Sequence, residues 1–419
     1  MMNPVVSDCC AEPGNTLLSV EQGRRRMLDA ITPIEACQQL HLSTAIDRVL
    51  AETVVSAIDV PPFANSAMDG YALRSADCTG ANGSHLAVIG RCLAGAAFDG
   101  EVGPGQCVRI MTGALLPAGA DAVIMQEKVK RDADTIHFSA RPAAGENVRY
   151  AGEDTHRGDA VLTAGTRLGA AEIGLLASVG VSEVKVRRPL RVAFFSTGDE
   201  LTGLGTPLAP GQIYDSNRYI LFALLSRAGL ACHDLGVIAD DRDAVSAAFR
   251  QAADMADLIL TSGGVSVGEA DYITETLQEL GEVNFWRMAM KPGKPLAFGR
   301  VEQAYFFGLP GNPVSVMATF YQFVLPAIRK LSGENAREPL LIEVRAAEAF
   351  RKAPGRMEFQ RGILSRDAGG DWVVSSAGGQ GSHQLSSMSK ANCFILLAAD
   401  SRGVDAGEPV TVQPFCDFV

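Results

Sequence analysis

A chain of 419 residues with 47% hydrophobic and 20% charged side chains has material for two to four domain cores, and 43 glycines with 20 prolines fall well short of a low-complexity composition. The formal net charge of −11 is opposite in sign to that of a general nucleic-acid or anionic-membrane binder. No run of about 18 apolar residues is present to cross a bilayer as a helix.

Residues 1–16 lack the apolar stretch of a signal peptide and read as a disordered leader. From about 19 to 50 the sequence reads helically: Ser19 is placed as an N-cap with Gln22 three residues on, and Met27, Ile31, Ile34 and Leu42 recur on one face. Short β-rich runs at 53–55, 86–89, 108–111, 122–125 and 135–138, separated by Gly, Pro and Asp turns, predict a small all-β domain. A second helix follows at 168–179, so the β region reads as an insert between two helical pieces.

From 189 to 332 strands alternate with helices, which predicts a parallel, three-layer α/β domain: strands at 190–195, 232–238, 258–261 and 305–308, and helices at 216–227, 241–255, 271–280 and 314–331. Alternating short strands at 341–344, 372–375, 393–397 and 409–412 predict a small C-terminal β domain. The division is then a leader 1–16, a discontinuous helical linker domain 17–50 with 158–188, a β-rich insert domain 51–157, the α/β domain 189–332 and a C-terminal β domain 333–419. The fold class is multidomain, α/β plus β.

Nine cysteines, odd in number and without a C-x-x-C pair, fit reduced thiols in the cytosol. Six dispersed histidines give neither a zinc site nor a Ser-His-Asp triad its usual footing. Chemistry is expected instead beyond the carboxyl ends of the parallel strands. Four loops there are rich in small residues: 196–200, 236–241, 261–268 with Ser262, Gly263, Gly264 and Ser266, and 308–313 with Pro310 and Pro313. Consecutive backbone N–H groups in such loops suit a phosphate-bearing ligand, whereas neither G-x-G-x-x-G nor a Walker motif is present. The rim carries Asp199, Glu200, Asp215, Asp240, Asp241 and Asp271; Asp241 and Asp271 fit helix caps and Asp215 a turn, and Glu200 directly after the first strand and Asp240 after the second are the better candidates for Mg²⁺. Lys291 and Lys294, stiffened by Pro292, Gly293 and Pro295, suit contact with an oxyanion.

The strings PPFANSAMDGYA, RIMTGA, FSTGDEL, GQIYDSNR, TSGGVSVGEADY, KPGKP, GLPGNPVS and FQRG occur in this order. Together they resemble the MoeA family of molybdopterin molybdenumtransferases, over nearly the whole chain from about residue 17. The resemblance implies an α/β domain like that of molybdopterin adenylyltransferase. It implies a cytoplasmic homodimer whose active cleft is shared between subunits, and insertion of molybdate into adenylylated molybdopterin with release of AMP. It further implies Asp69, Thr112, Glu200 and Asp240 as catalytic residues, and Asp154, Lys291, Lys294, Pro310, Pro313, Arg361 and Ser387 as substrate-binding ones. Mg²⁺ on Glu200 and Asp240 and the adenylyltransferase as a protein partner follow from the same likeness. Ala64 stands where many members carry Asp, and Arg287 where a Lys is common. An adenylyltransferase and a non-catalytic pterin-binding scaffold are the alternative readings; joint retention of Asp69, Glu200 and Asp240 disfavours the scaffold.

Overall fold

The computed structural model describes residues 17–78, 83–263 and 272–415. They form two compact units, one of Gln38–Val186 and one of the described residues up to Cys37 and from Arg187 on.

In the first unit a six-stranded sheet runs in the order Ala122–Met125, Gly70–Leu73, Gln106–Ile110, Ser84–Cys92, Thr135–Phe138, Lys130–Asp132. Both faces are covered. Tyr71, Leu73, Cys107 and Ile136 fill one core and Ala72, Val108, Ile110 and Val123 the other. The helix Ala170–Ser178 buries Leu176 in a third cluster with Leu42, Leu50, Leu168, Val184 and Val186.

The second unit opens with the helix Val20–Ala30, fixed by a capping box in which Ser19 Oγ accepts from the Gln22 amide and Gln22 Oε1 from the Ser19 amide, both at 3.1 Å. The helical reading of 31–50 is corrected. Ile31 is already extended (φ −93°, ψ 128°), Pro33 disfavours α backbone at Thr32, and Cys37–His41 is a strand. Val20, Met27 and Ile31 bury against Phe320, Phe323, Val324 and Leu331 of the last helical run of the α/β region.

There the sheet order is Ala231–Ile238, Arg191–Thr197, Leu258–Ser262, Ala304–Leu309, Pro295–Val301, Gly281–Arg287. Period-two alternation divides its side chains between two cores. Val192, Phe194, Leu258, Leu260 and Phe307 face the helix Ser216–Arg227 and the helical run 313–331, while Ala193, Phe195, Ile259 and Phe306 face Arg242–Met255 and Tyr272–Leu280. The first four strands pair in parallel, but Pro295–Val301 runs opposite to both of its neighbours, which corrects the expectation of a parallel sheet throughout. The outer strand, with Glu282, Asn284 and Arg287 along it, is half exposed and lacks the continuous apolar run of a central parallel strand.

The C-terminal region is a closed ring of five strands: Met357–Arg366, Trp372–Ser376, Ile342–Ala346, Pro409–Pro414 and Cys393–Leu397, which returns to Met357–Arg366. Val344, Val374, Ile395 and Val412 fill it. A two-residue strand, Met290–Lys291, pairs in parallel with Met357–Glu358 and joins the α/β region to the ring. No helix among the described residues is long and apolar enough to cross a membrane.

Asp257, just before a central strand, is the polar anchor of this unit. Its carboxylate accepts from Arg188 Nη1 and Nη2 (2.7 and 2.6 Å), the Arg191 amide (2.9 Å) and Arg191 Nη2 (3.2 Å). Burial pushes its pKa up, but the Arg188 and Arg191 bonds outweigh it and hold the carboxyl at about 2. A pKa depressed from 3.8 to about 2 stabilises the fold by about 2 kcal/mol above pH 4, lost as pH falls through 2. Asp257→Asn is expected to lower stability by about 2–3 kcal/mol at pH 7, measured by denaturant unfolding. The gap to the parent protein closes between pH 4 and 2.

Candidate active site

A cavity of about 1090 Å³ lies at the carboxyl ends of the central strands, open to the ring domain. Thr197, Gly198 and Glu200 enter from the first strand, Asp240 from the second, Gly263 from the third, and Pro310, Gly311 and Asn312 from the fourth. Lys291–Pro295 forms the facing wall, and Arg356 with Gln380, Gly381, Ser382 and His383 come from the ring domain. Gly263 is needed on two counts. Its φ is +93°, and a Cβ would lie 2.9 Å from the Thr197 carbonyl oxygen. Its N–H donates to Leu309 O (3.2 Å), which stitches two strand ends together beneath the cavity.

The two ends of the cavity differ in charge. At one, Glu200 and Asp240 face the space; burial, then Asp199, Glu200 and Asp241, push the Asp240 carboxyl above its ordinary range. Asp241 and Asp215 serve as helix caps, accepting from the Asp243 and Ala244 amides and from the Arg218 amide. At the other end Lys291 Nζ donates to Glu358 Oε1 (3.0 Å), whereas Lys294 Nζ has no partner among the described residues.

Arg361 and Ser387 lie behind the 379–381 loop of the ring domain, 1% and 4% exposed. Arg361 Nε donates to Ser387 Oγ (3.2 Å) and Nη2 to the Gly379 and Gly381 carbonyls (2.9 and 3.0 Å); Nη1 makes none of these bonds. Burial lowers its pKa to about 10, against the pull of Glu358, so the guanidinium is still charged at neutral pH. Ser262 ends its strand buried, and Pro313 starts the helix Pro313–Thr319 at the rim. Gly264 and Ser266 lie outside the described residues. Sequence reasoning missed Arg356 and the 380–383 loop, although Gly378-Gly379-Gln380-Gly381-Ser382 carries the same small-residue signature as the strand-end loops.

In the other unit Asp69 and Thr112 meet at one end of the sheet. Asp69 directly precedes the strand Gly70–Leu73, which is in register with Gln106–Ile110, and Thr112 lies two residues beyond the end of that second strand. Asp69 Oδ1 accepts from the Thr112 amide (2.7 Å) and hydroxyl (2.8 Å), bonds that hold its carboxyl below the ordinary range. A Cβ at Gly70 would stand 2.0 Å from the Ile124 carbonyl oxygen, so the strand passes closely enough to fix Asp69 in place. Asp154, exposed, is held by its amide on Val60 O (2.9 Å).

No cluster of three His, Cys, Asp or Glu side chains capable of holding a metal alone occurs among the described residues. The Glu200–Asp240 pair fits Mg²⁺ all the same. This ion takes one or two carboxylates and completes its octahedron with substrate phosphates and water, and the burial and neighbouring carboxylates that raise Asp240 are what a cation would offset.

Three regions match known families: residues 18–180 the MoeA N-terminal region (domain I and II), 193–330 a probable molybdopterin binding domain, and 343–415 the MoeA C-terminal region (domain IV). The chain is 46% identical over 401 residues to the molybdopterin molybdenumtransferase of Haemophilus influenzae, covering 95% of this chain and 99% of that protein. The chain belongs to the MoeA family. A molybdopterin molybdenumtransferase of Nostoc is 38% identical over 88% of this chain and 87% of its own length. A crystal structure of a molybdopterin biosynthesis MoeA protein from Pyrococcus horikoshii superposes with a TM-score of 0.81 at 30% identity, over 95% of this chain and 100% of that one. The MoeA N-terminal match contains Asp69, Thr112 and Asp154, the binding-domain match Glu200, Asp240 and both lysines, and the C-terminal match Arg361 and Ser387.

Thr112→Val keeps the backbone donor to Asp69 and removes the hydroxyl one. The Asp69 titration midpoint is expected to move up toward the usual carboxylate range, read by NMR of the side-chain carboxyl; an unmoved midpoint contradicts the pairing.

Proposed function

We propose that the protein inserts molybdate into adenylylated molybdopterin and releases AMP, the last step in building the molybdenum cofactor. The observation that carries this reading is the division of one cavity into a glycine-lined acidic end and a lysine-lined end. The substrates have matching parts, a pyrophosphate and a tetrahedral dianion.

The nest at Thr197–Gly198 and Gly263, with Ser262 at the strand end before it, holds the adenylate, and Pro310 and Pro313 shape the fourth strand's loop around it. Glu200 and Asp240 would hold Mg²⁺, which when bound neutralises charge on the pyrophosphate. Lys291 and Lys294 orient molybdate, with Arg361 Nη1 and Ser387 completing the seat from behind as the small dianion settles between them. An oxygen of molybdate or water attacks phosphorus, the phosphoanhydride bond breaks and AMP departs with the bond's electron pair. The two thiol sulfurs of the dithiolene then replace one oxide of molybdate, which leaves as water with the two thiol protons. No protein nucleophile enters the scheme. The dithiolene supplies the soft ligands molybdenum takes, and the chain supplies orientation and charge.

Asp69, Thr112 and Asp154 serve in the cleft of a partner subunit in a homodimer. Exposed Leu204, Leu208, Ile213, Tyr214, Tyr219 and Phe222, close together in sequence, supply apolar surface for such an assembly. The setting is cytoplasmic, and molybdopterin adenylyltransferase is the partner that hands over the adenylate.

AMP release from adenylylated molybdopterin, Mg²⁺ and molybdate tests the reaction; no release from the parent protein overturns it. Glu200→Ala and Asp240→Ala are expected to abolish release while remaining folded, and normal turnover by both at low Mg²⁺ contradicts the metal assignment. Mixing inactive Asp69→Ala with inactive Glu200→Ala is expected to leave about a quarter of all clefts intact after random subunit exchange, and activity returns with them. No recovery despite exchange places the whole cleft in one chain. Arg361→Ala is expected to raise the half-saturating molybdate concentration by roughly ten- to a hundredfold, with the adenylate's changing much less.

A further inference from the structure

Lys291, Lys294 and Arg356 line the cavity, and the Arg361 guanidinium lies behind the loop whose Gly379 and Gly381 carbonyls it binds. A carboxylate stands among these cations. Glu358 is in direct register with Lys291 where the Met290–Lys291 strand joins the ring domain. Its side chain is 7% exposed, against 51% for Lys291. One carboxylate oxygen accepts from Lys291 Nζ at 3.0 Å and the other from Gln360 Nε2 at 3.0 Å; the Gln360 amide is itself tied to the Arg351 carbonyl (3.2 Å). Both oxygens are therefore committed, and the ammonium keeps two of its three protons for the cavity.

A buried carboxylate beneath an anion seat lowers the seat's affinity, and a chain needing only tight anion binding has no use for one. Lys291, Lys294 and Arg356 line the cavity, and the Glu358 carboxylate offsets one of their charges, so a dianion there meets one unit less of positive charge than it would without Glu358. We propose that Glu358 is a positioning residue for the molybdate seat: through Lys291 it fixes where the ammonium points, and its charge keeps the dianion bound loosely enough to be passed to the dithiolene. The inference rests on the molybdate reading given above and assigns a residue outside the cavity lining to it.

Glu358→Gln retains size and an oxygen acceptor for Lys291 and removes the charge. Equilibrium dialysis of sodium molybdate against the full-length protein, with molybdenum counted by mass spectrometry, is expected to show binding tightened roughly three- to tenfold. In AMP-release assays the KM for molybdate falls with it and kcat falls as well, while the KM for the adenylate stays. A purely structural role would not produce this opposed movement of affinity and turnover. Glu358→Gln combined with Gln360→Glu puts one carboxylate back on the same strand face and is expected to return molybdate affinity toward the parent value. It also decides the matter should the single variant fail to fold, since a folded swap with parent-like affinity needs only the charge. Lys294→Ala is the control for the seat itself. If it binds molybdate as the parent does, the molybdate seat is overturned and this inference with it. If Lys294→Ala weakens binding but Glu358→Gln leaves it unchanged or weaker, or the swap stays as tight as the single variant, the role given to Glu358 alone is overturned.

Discussion

One short β pairing, Met290–Lys291 against Met357–Glu358, brings the α/β and ring domains to a common cavity. The loop it belongs to is held from three directions. The Leu18 amide donates to Arg287 O (2.9 Å) and the Ala289 amide to Leu18 O (2.7 Å), so the segment leading into the first helix clamps it from one side. The Met288 amide closes the loop on Lys294 O (2.7 Å), and the Met357 amide reaches Ala289 O (2.8 Å) from the ring. Each of these bonds is worth about 1 kcal/mol or less on its own. Together they give two lysines a fixed backbone, which a solvated helix face would not.

That fixed wall explains how a chain of net charge −11 can handle anions. The acids and cations are sorted within one cavity rather than averaged over the surface: Glu200 and Asp240 on the strand-end side, Lys291 and Lys294 on the loop side. In a partly enclosed space of lower effective dielectric than water such fields act with less screening than surface charges. Phosphate chemistry and oxyanion placement can therefore proceed side by side without the groups for one neutralising those for the other.

Much of this was legible in the residues. Continuous apolar runs gave the central strands, because strands buried on both faces have no polar side to alternate with. The Gly- and Ser-rich loops at their ends located the cavity. What escaped detection did so for physical reasons. Pattern recognition carried the first helix past Ala30 because Ile31 and Ile34 continue its apolar spacing, although Pro33 ends it. The strand Met357–Arg366 escaped notice because Glu358, Gln360 and Arg361 are buried in it, and buried polar residues break the alternation that marks a strand. The same residues form the polar network that reaches Lys291 and the 379–381 loop, so the departure from the folding pattern falls beside the cavity. Asp69 and Thr112 are 43 residues apart, and only the antiparallel register of two strands brings them into contact.

The most direct test of the account is to crystallise the protein, soak it in molybdate and collect anomalous diffraction at the molybdenum edge. A peak is expected at the lysine end of the cavity, between Lys291 and Lys294 and the layer of Arg361 and Ser387. A peak at the Glu200–Asp240 end, or density confined to the outer surface, would contradict the division of the cavity on which the account rests.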